Sequence, residues 1–257
     1  MFKLGVASIS FRNHTPNEII KEATKSKLDA IEWGSDIHAP CNNKNALKEI
    51  VSRSSENGIA ISSYGSYYRI GKDKAEEIVP YLEAAKILGT DTVRIWCGEK
   101  GSCETDQNEF SAMVEQGNLI CEKAKEFSIK LCLECHQWTL TDNYSTALNY
   151  INLVASDNLK MYWQPNQFKS FDYNIASAKA LLCCTENLHV FNWDSKNRYP
   201  LIEAKEVWKD YFEIFKGKSR FALLEFMHDD RLETLSKTAS ELRKICEEIQ
   251  SEKSFKL

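Results

Sequence analysis

Two glutamates stand where apolar residues are expected. Glu134 closes the run Leu131-Cys132-Leu133, and Glu225 follows Leu223-Leu224 ahead of Phe226. An ionised carboxylate inside such a run is expensive to bury unless it is paired or bound to a metal. His189 lies in a third run, Leu188-His189-Val190, and Gln164 follows a fourth, Met161-Tyr162-Trp163. Two carboxylates, an imidazole and an amide oxygen can share one divalent ion, and that donor set favours Mn²⁺, Mg²⁺ or Co²⁺, with Zn²⁺ also accommodated. Glu32 closes a fifth run, Ala30-Ile31. The competing reading is structural: Glu134 and Glu225 as ion-pair partners of buried arginines such as Arg94, and His189 as a hydrogen-bonded core histidine.

Something must bring these distant positions together. Short β-rich runs begin near Leu4, Leu28, Ile59, Thr92, Ile129, Leu159, Leu188 and Arg220, each one β–loop–α unit after the last. Amphipathic helices fill the intervals. The first has Thr15 as N-cap, Pro16 at its first position and Glu18 to complete a capping box. The second stops at Asn57-Gly58 and the third at Gly89, with Pro80 predicting a kink or a later start. Phe110 to Phe127, Ala147 to Val154, Ile175 to Leu182, Val207 to Phe215 and Leu242 to Ile249 carry the apolar faces of the other five. Eight strands alternating with eight helices predict an α/β fold, a single (β/α)₈ TIM barrel over residues 1–257. No GxGxxG follows the first strand, which counts against a dinucleotide-binding open sheet.

A barrel's active site lies at the C-terminal ends of its strands. All five histidines (His14, His38, His136, His189 and His228) fall in or just after the strand runs, as do Trp33, Trp96, Trp138, Trp163 and Trp193. That concentration predicts a polar pocket with aromatic walls, suited to a polyhydroxylated ligand. Arg69, Arg94 and Arg198 are placed either to contact substrate oxygens or to neutralise the acids.

Composition narrows the classes. The 257 residues carry 33 basic and 37 acidic side chains, a net charge of −4, and 43% are apolar. With a pI near 5.8 and no basic stripe, the chain does not look built to grip nucleic acid. No apolar run approaches a membrane span, and the first ten residues read as a strand rather than a signal peptide. The nine cysteines form no regular framework and read as reduced thiols, so a cytoplasmic protein is expected.

The chain resembles the xylose isomerase-like TIM-barrel superfamily, specifically its sugar phosphate isomerase/epimerase group, over essentially its whole length. The segments that carry the likeness are Ile31 to Pro40, Ser63 to Arg69, Val93 to Gly98, Leu133 to His136 with Thr139 to Asp142, His189 to Trp193, and Leu224 to Phe226. The resemblance implies one divalent metal ion held by Glu134, His189 and Glu225, with Gln164 standing where an aspartate is usual. It implies Glu134 and Glu225 as the acid/base pair of an isomerase or epimerase working through a metal-stabilised enediolate. Trp33 and Trp96 would wall the pocket, and His38, His136, Arg94, Tyr64, Asn166, Gln167, Asp194 and Arg198 would contact a small-molecule sugar. Three alternatives follow from the same residues: a dehydratase of inositol-type keto sugars, a sugar-binding homologue impaired by Gln164, and an endonuclease IV-like phosphodiesterase. The last needs more histidine and aspartate ligands than the chain supplies. Whether the sugar is phosphorylated and whether the chain forms a homo-oligomer are left open.

Overall fold

A computed structural model describes residues 2–251. Met1 and residues 252–257, part of the stretch expected as a single domain, lie outside the described residues. Eight parallel strands close into a barrel: β1 (Phe2–Ala7), β2 (Ala30–Gly34), β3 (Ala60–Ile70), β4 (Thr92–Cys97), β5 (Lys130–Glu134), β6 (Leu159–Trp163), β7 (Thr185–Val190) and β8 (Arg220–Leu224). Closure comes from β1 pairing with β8, Phe2 opposite Arg220 through Val6 opposite Leu224. The helices α1 (Pro16–Lys25), α2 (Lys44–Glu56), α3 (Val79–Leu88), α4 (Gln107–Glu126), α5 (Tyr144–Val154), α6 (Phe171–Leu181), α7 (Lys205–Phe215) and α8 (Leu235–Ser251) follow the strands in turn.

Local sequence explains the helix boundaries. Thr15 and Glu18 form the reciprocal capping box at α1, and Asn143 and Ser170 cap α5 and α6 through their side chains. Pro80 occupies the first turn of α3, where its missing N–H costs nothing, so the helix starts late rather than kinking. Gly89 ends α3 in the left-handed region at φ 74°.

Strand alternation then sorts side chains between two cores. One face of each strand meets the helices in a large apolar layer that includes Trp33, Tyr64, Trp163 and Trp208, all at most 1% exposed. The other face points down the barrel axis. There Cys132, Tyr162 and Leu223 pack together. A Cβ on Gly5 would lie 2.6 Å from both the Ala30 carbonyl and the Leu223 side chain, so only glycine fits beside Leu223. Above this apolar plug the inward positions become polar: Glu32, Ser63, Arg94, Glu134, Asn187, His189 and, just past β8, Glu225, all buried. All nine cysteines are free thiols. Among the described residues, no helix is long and apolar enough to cross a membrane.

Candidate metal centre

His189 is the hub of the polar layer. Its ring is fully buried, and three oxygens from three other strand ends gather around Nδ1. Gln164 Oε1 lies at 2.8 Å, Glu225 Oε2 at 3.3 Å and Glu134 Oε1 at 3.6 Å. Ligating atoms of Glu134, His189 and Glu225 all fall within 4.8 Å of one another. Donors sharing an ion at about 2.1 Å in octahedral geometry sit about 3 Å apart, so these spacings fit one small divalent cation. A second observation agrees: Glu225 Oε2 is buried and makes no hydrogen bond. A buried carboxylate oxygen without a donor is costly unless something positive meets it.

Arg94 compensates the acids. Its Nε donates to Glu32 Oε1 at 2.9 Å, and its Nη1 donates to Glu134 Oε2, so one guanidinium bridges carboxylates on β2 and β5. The Trp96 indole N–H donates to the same Glu134 oxygen. Thus Oε2 of Glu134 is held by two donors, and Oε1 is the atom left toward His189. Burial opposes ionisation of Glu32, but Arg94 and then His189 outweigh it and bring its pKa down to about 2. Burial likewise opposes ionisation of Glu134, and Arg94 first and His189 next hold it well below the usual carboxylate range. Glu225 has no such clamp, and burial pushes it up despite His189. Burial depresses His189, yet Glu225 and Glu32 dominate and push it up to about 10.

The arginine beside Glu134 expected from sequence is therefore present together with the ligand cluster, not instead of it. Several expected substrate contacts are elsewhere. Trp33 and Tyr64 alternate with the inward Glu32 and Ser63 and so face the helices; both are fully buried, and the Tyr64 hydroxyl donates to the Ala39 carbonyl. Neither walls the pocket. Trp163 likewise donates to Ser177 on α6 and packs against Trp208 and Tyr211. His38 is 4% exposed and spends both ring nitrogens on Ser8 Oγ and the His14 carbonyl, which ties the β2 loop to the β1 loop. Arg94 is committed to the two glutamates. Asp194 accepts from the Lys196 and Asn197 backbone N–H groups and shapes its own turn. Asn166 lines the same cavity as Gln164, but its polar atoms are engaged by Asn174, Gln137 and Asp142 and fix the loop after β6. Arg198 stacks over Trp193 and Phe226 and pairs with Asp230 at the rim.

Three expected contacts, His136, Asn166 and Gln167, line a cavity together with Gln164. His136 stacks on Trp96 with ring centroids 5.0 Å apart, and Arg69 lies over the same indole at 4.3 Å. Trp96 is thus flanked by a side chain from the strand before it and one from the loop after β5. Nδ1 of His136 lies 2.6 Å from the Gln137 carbonyl. A carbonyl only accepts, so Nδ1 carries the hydrogen, and the neutral ring keeps its lone pair on Nε2.

Residue-type reasoning left Glu32, Ser63, Tyr162 and Asn187 without a role. Ser63 Oγ donates to Glu32 Oε2 at 2.9 Å, the Tyr162 hydroxyl donates to Ser63 Oγ at 2.6 Å, and Asn187 Nδ2 donates to that hydroxyl at 2.9 Å. The signal was available for Glu32, an acid at the end of an apolar run. It was weak for the others, single polar residues at inward positions of a strand.

The family model for the xylose isomerase-like TIM barrel matches residues 20–179. Among curated proteins, the 3-dehydroshikimate dehydratase of Bacillus anthracis is 26% identical over 175 residues, which covers 62% of this chain and 60% of that protein. Among solved structures, the probable 3-DHS dehydratase involved in petrobactin synthesis, from the same organism, superposes with a TM-score of 0.78 at 21% identity over 95% of this chain and 99% of that one. An L-ribulose 3-epimerase superposes with a TM-score of 0.73 at 13% identity, covering 99% and 97% of the two chains. At these identities the structural likenesses bear on the fold.

Proposed function

The chain belongs to the xylose isomerase-like TIM barrel family, and we propose that within it the protein is a divalent-metal-dependent lyase that removes water from a polyhydroxylated carbonyl compound. The observation that carries this reading is the inequality of the two glutamates. Glu134 has its outer oxygen clamped by Arg94 and Trp96, whereas Glu225 Oε2 has no hydrogen-bond partner. An epimerase that moves a proton between two carboxylates needs both free to take it. Here Glu134 is a fixed ligand, and the proton-carrying work falls to other groups. The sequence likeness to a dehydratase supports the same direction.

Glu134, Gln164, His189 and Glu225 would hold the ion, Gln164 through its amide oxygen. A bound divalent cation would polarise the substrate carbonyl and stabilise the enolate. Nε2 of His136, its tautomer set by the Gln137 carbonyl, takes the proton from the carbon beside the carbonyl. The C–H electron pair forms the new C=C bond, the C–O bond to the β-hydroxyl breaks, and the proton held on His136 Nε2 passes to the leaving hydroxide as water, so the step is redox-neutral and the base is regenerated. Trp96, in contact with Arg69 and with its indole N–H held by Glu134, backs the His136 ring and fixes its position.

The test is to incubate Mn²⁺-loaded protein with β-hydroxy ketones bearing further hydroxyls and to follow mass and ultraviolet absorbance. A product lighter by one water with a conjugated carbonyl supports the lyase; deuterium entry from D₂O with no mass loss overturns it. That second outcome is the isomerase or epimerase reading, which is favoured by Glu134 and Glu225 bordering the same His189 nitrogen from β5 and β8.

A further inference from the structure

We infer that Glu32 is a positioning residue for the metal centre. It would act on two ligands at once, directly on His189 and through Arg94 on Glu134; the inference rests on the metal-dependent reading above. The His189 ring presents Nδ1 to the three ligand oxygens and Nε2 to Glu32 Oε1, 3.5 Å away. Nε2 is buried and otherwise without a hydrogen-bond partner. An imidazole that ligates through one nitrogen is oriented by what its other N–H meets, and a carboxylate there also strengthens the ligand. The same Oε1 receives Arg94 Nε, which aims Nη1 at Glu134. The other oxygen, Oε2, is fixed by Ser63, Tyr162 and Asn187 in sequence. Glu32 is 1% exposed and has no route to a substrate.

Space around the carboxylate is reserved as well. A Cβ on Gly65 would lie 2.8 Å from Arg94 Nη2 and 3.1 Å from Glu32 Oε1. Every interaction Glu32 makes therefore points at a ligand, at a partner of a ligand, or at a group that holds Glu32 itself.

The experiment is Mn²⁺ binding to the full chain by isothermal titration, comparing wild type with Glu32→Gln and with Tyr162→Phe. The tyrosine variant loosens the same buried network but keeps the carboxylate. Glu32→Gln is expected to weaken Mn²⁺ binding about 10- to 100-fold, while Tyr162→Phe, which loosens the carboxylate but keeps it, lowers thermal stability and weakens Mn²⁺ binding by a smaller factor. Equal affinity in wild type and Glu32→Gln, or an equal loss in both variants, overturns the inference. A wild type that takes up no Mn²⁺ overturns the functional reading instead. Should Glu32→Gln fail to fold, wild type loaded with Zn²⁺ provides the second readout: a downfield His189 Nε2–H proton resonance protected from solvent exchange is expected, and its absence overturns the inference.

Discussion

Arg94 Nε and Nη1 span the barrel mouth from Glu32 on β2 to Glu134 on β5, and the residue is 4% exposed. Two buried anions share this guanidinium, so its removal takes away the largest charge that compensates them and leaves only His189. Arg94→Met is expected to destabilise the metal-free protein by about 3–5 kcal/mol, read by urea denaturation. A loss smaller than about 1 kcal/mol would mean that the pair is hydrated and not truly buried.

The pH response of the metal-free protein follows from the direction of each shift. His189 is raised to about 10 by Glu225 and Glu32, so its contribution is complete below its ordinary value and is lost as pH rises toward 10. Glu225 is raised by burial, so its ionisation adds a further cost as pH rises above the ordinary carboxylate range. Glu32 is lowered to about 2, and its contribution is present above the ordinary carboxylate value and is lost only as pH falls toward 2. The metal-free Tm should therefore fall between about pH 6 and pH 9. Over the same range Mn²⁺ should raise the Tm by an increasing amount, because binding must displace the His189 proton. Calorimetry with and without Mn²⁺ checks this, and a Mn²⁺-induced shift that shrinks with pH would contradict it.

Gln164→Asp puts a carboxylate at the position whose amide oxygen now lies 2.8 Å from His189 Nδ1. Mn²⁺ affinity should rise about tenfold, equivalent to about 1.4 kcal/mol. The metal-free protein should lose thermal stability, because the new carboxylate joins Glu134 and Glu225 around the single charge of His189. Titration calorimetry and a melting curve on the same variant test both halves.

His136→Asn removes the Nε2 lone pair without touching a ligand. Product formation should fall about 10²- to 10⁴-fold with Mn²⁺ affinity unchanged. Retained turnover would move the base to Glu225.

Trp33→Ala separates the two cores. Because Trp33 is fully buried against the helices, it should cost about 3–5 kcal/mol and leave Mn²⁺ affinity as in wild type. Chemical denaturation and metal titration together decide it.

Much of this was legible from local chemistry. Thr15 and Glu18 announced α1, Gly89 announced the end of α3, and the apolar runs announced eight strands in order. Acids inside apolar runs pointed to Glu134 and Glu225, and they do meet at His189. What misled was position along the chain without parity. Trp33 is adjacent to Glu32 and Tyr64 to Ser63, so both looked near the pocket, but a strand turns neighbours to opposite faces. His38, Asn166 and Asp194 sit on the correct rim, yet their polar atoms are used by neighbouring backbone and side chains, which no spacing rule reveals. Of the Glu32–Arg94–Glu134 bridge, the pairing of Arg94 with Glu134 was expected from sequence, and the Glu32 half became visible only once the barrel closed.

Gly65 contributes no functional group, yet its missing side chain is the berth in which the Arg94 guanidinium lies. A single methyl group there would lie 2.8 Å from Nη2 and oblige the guanidinium to shift, so even the mildest substitution at 65 would be felt electrically, at the two carboxylates that an arginine 29 positions downstream holds.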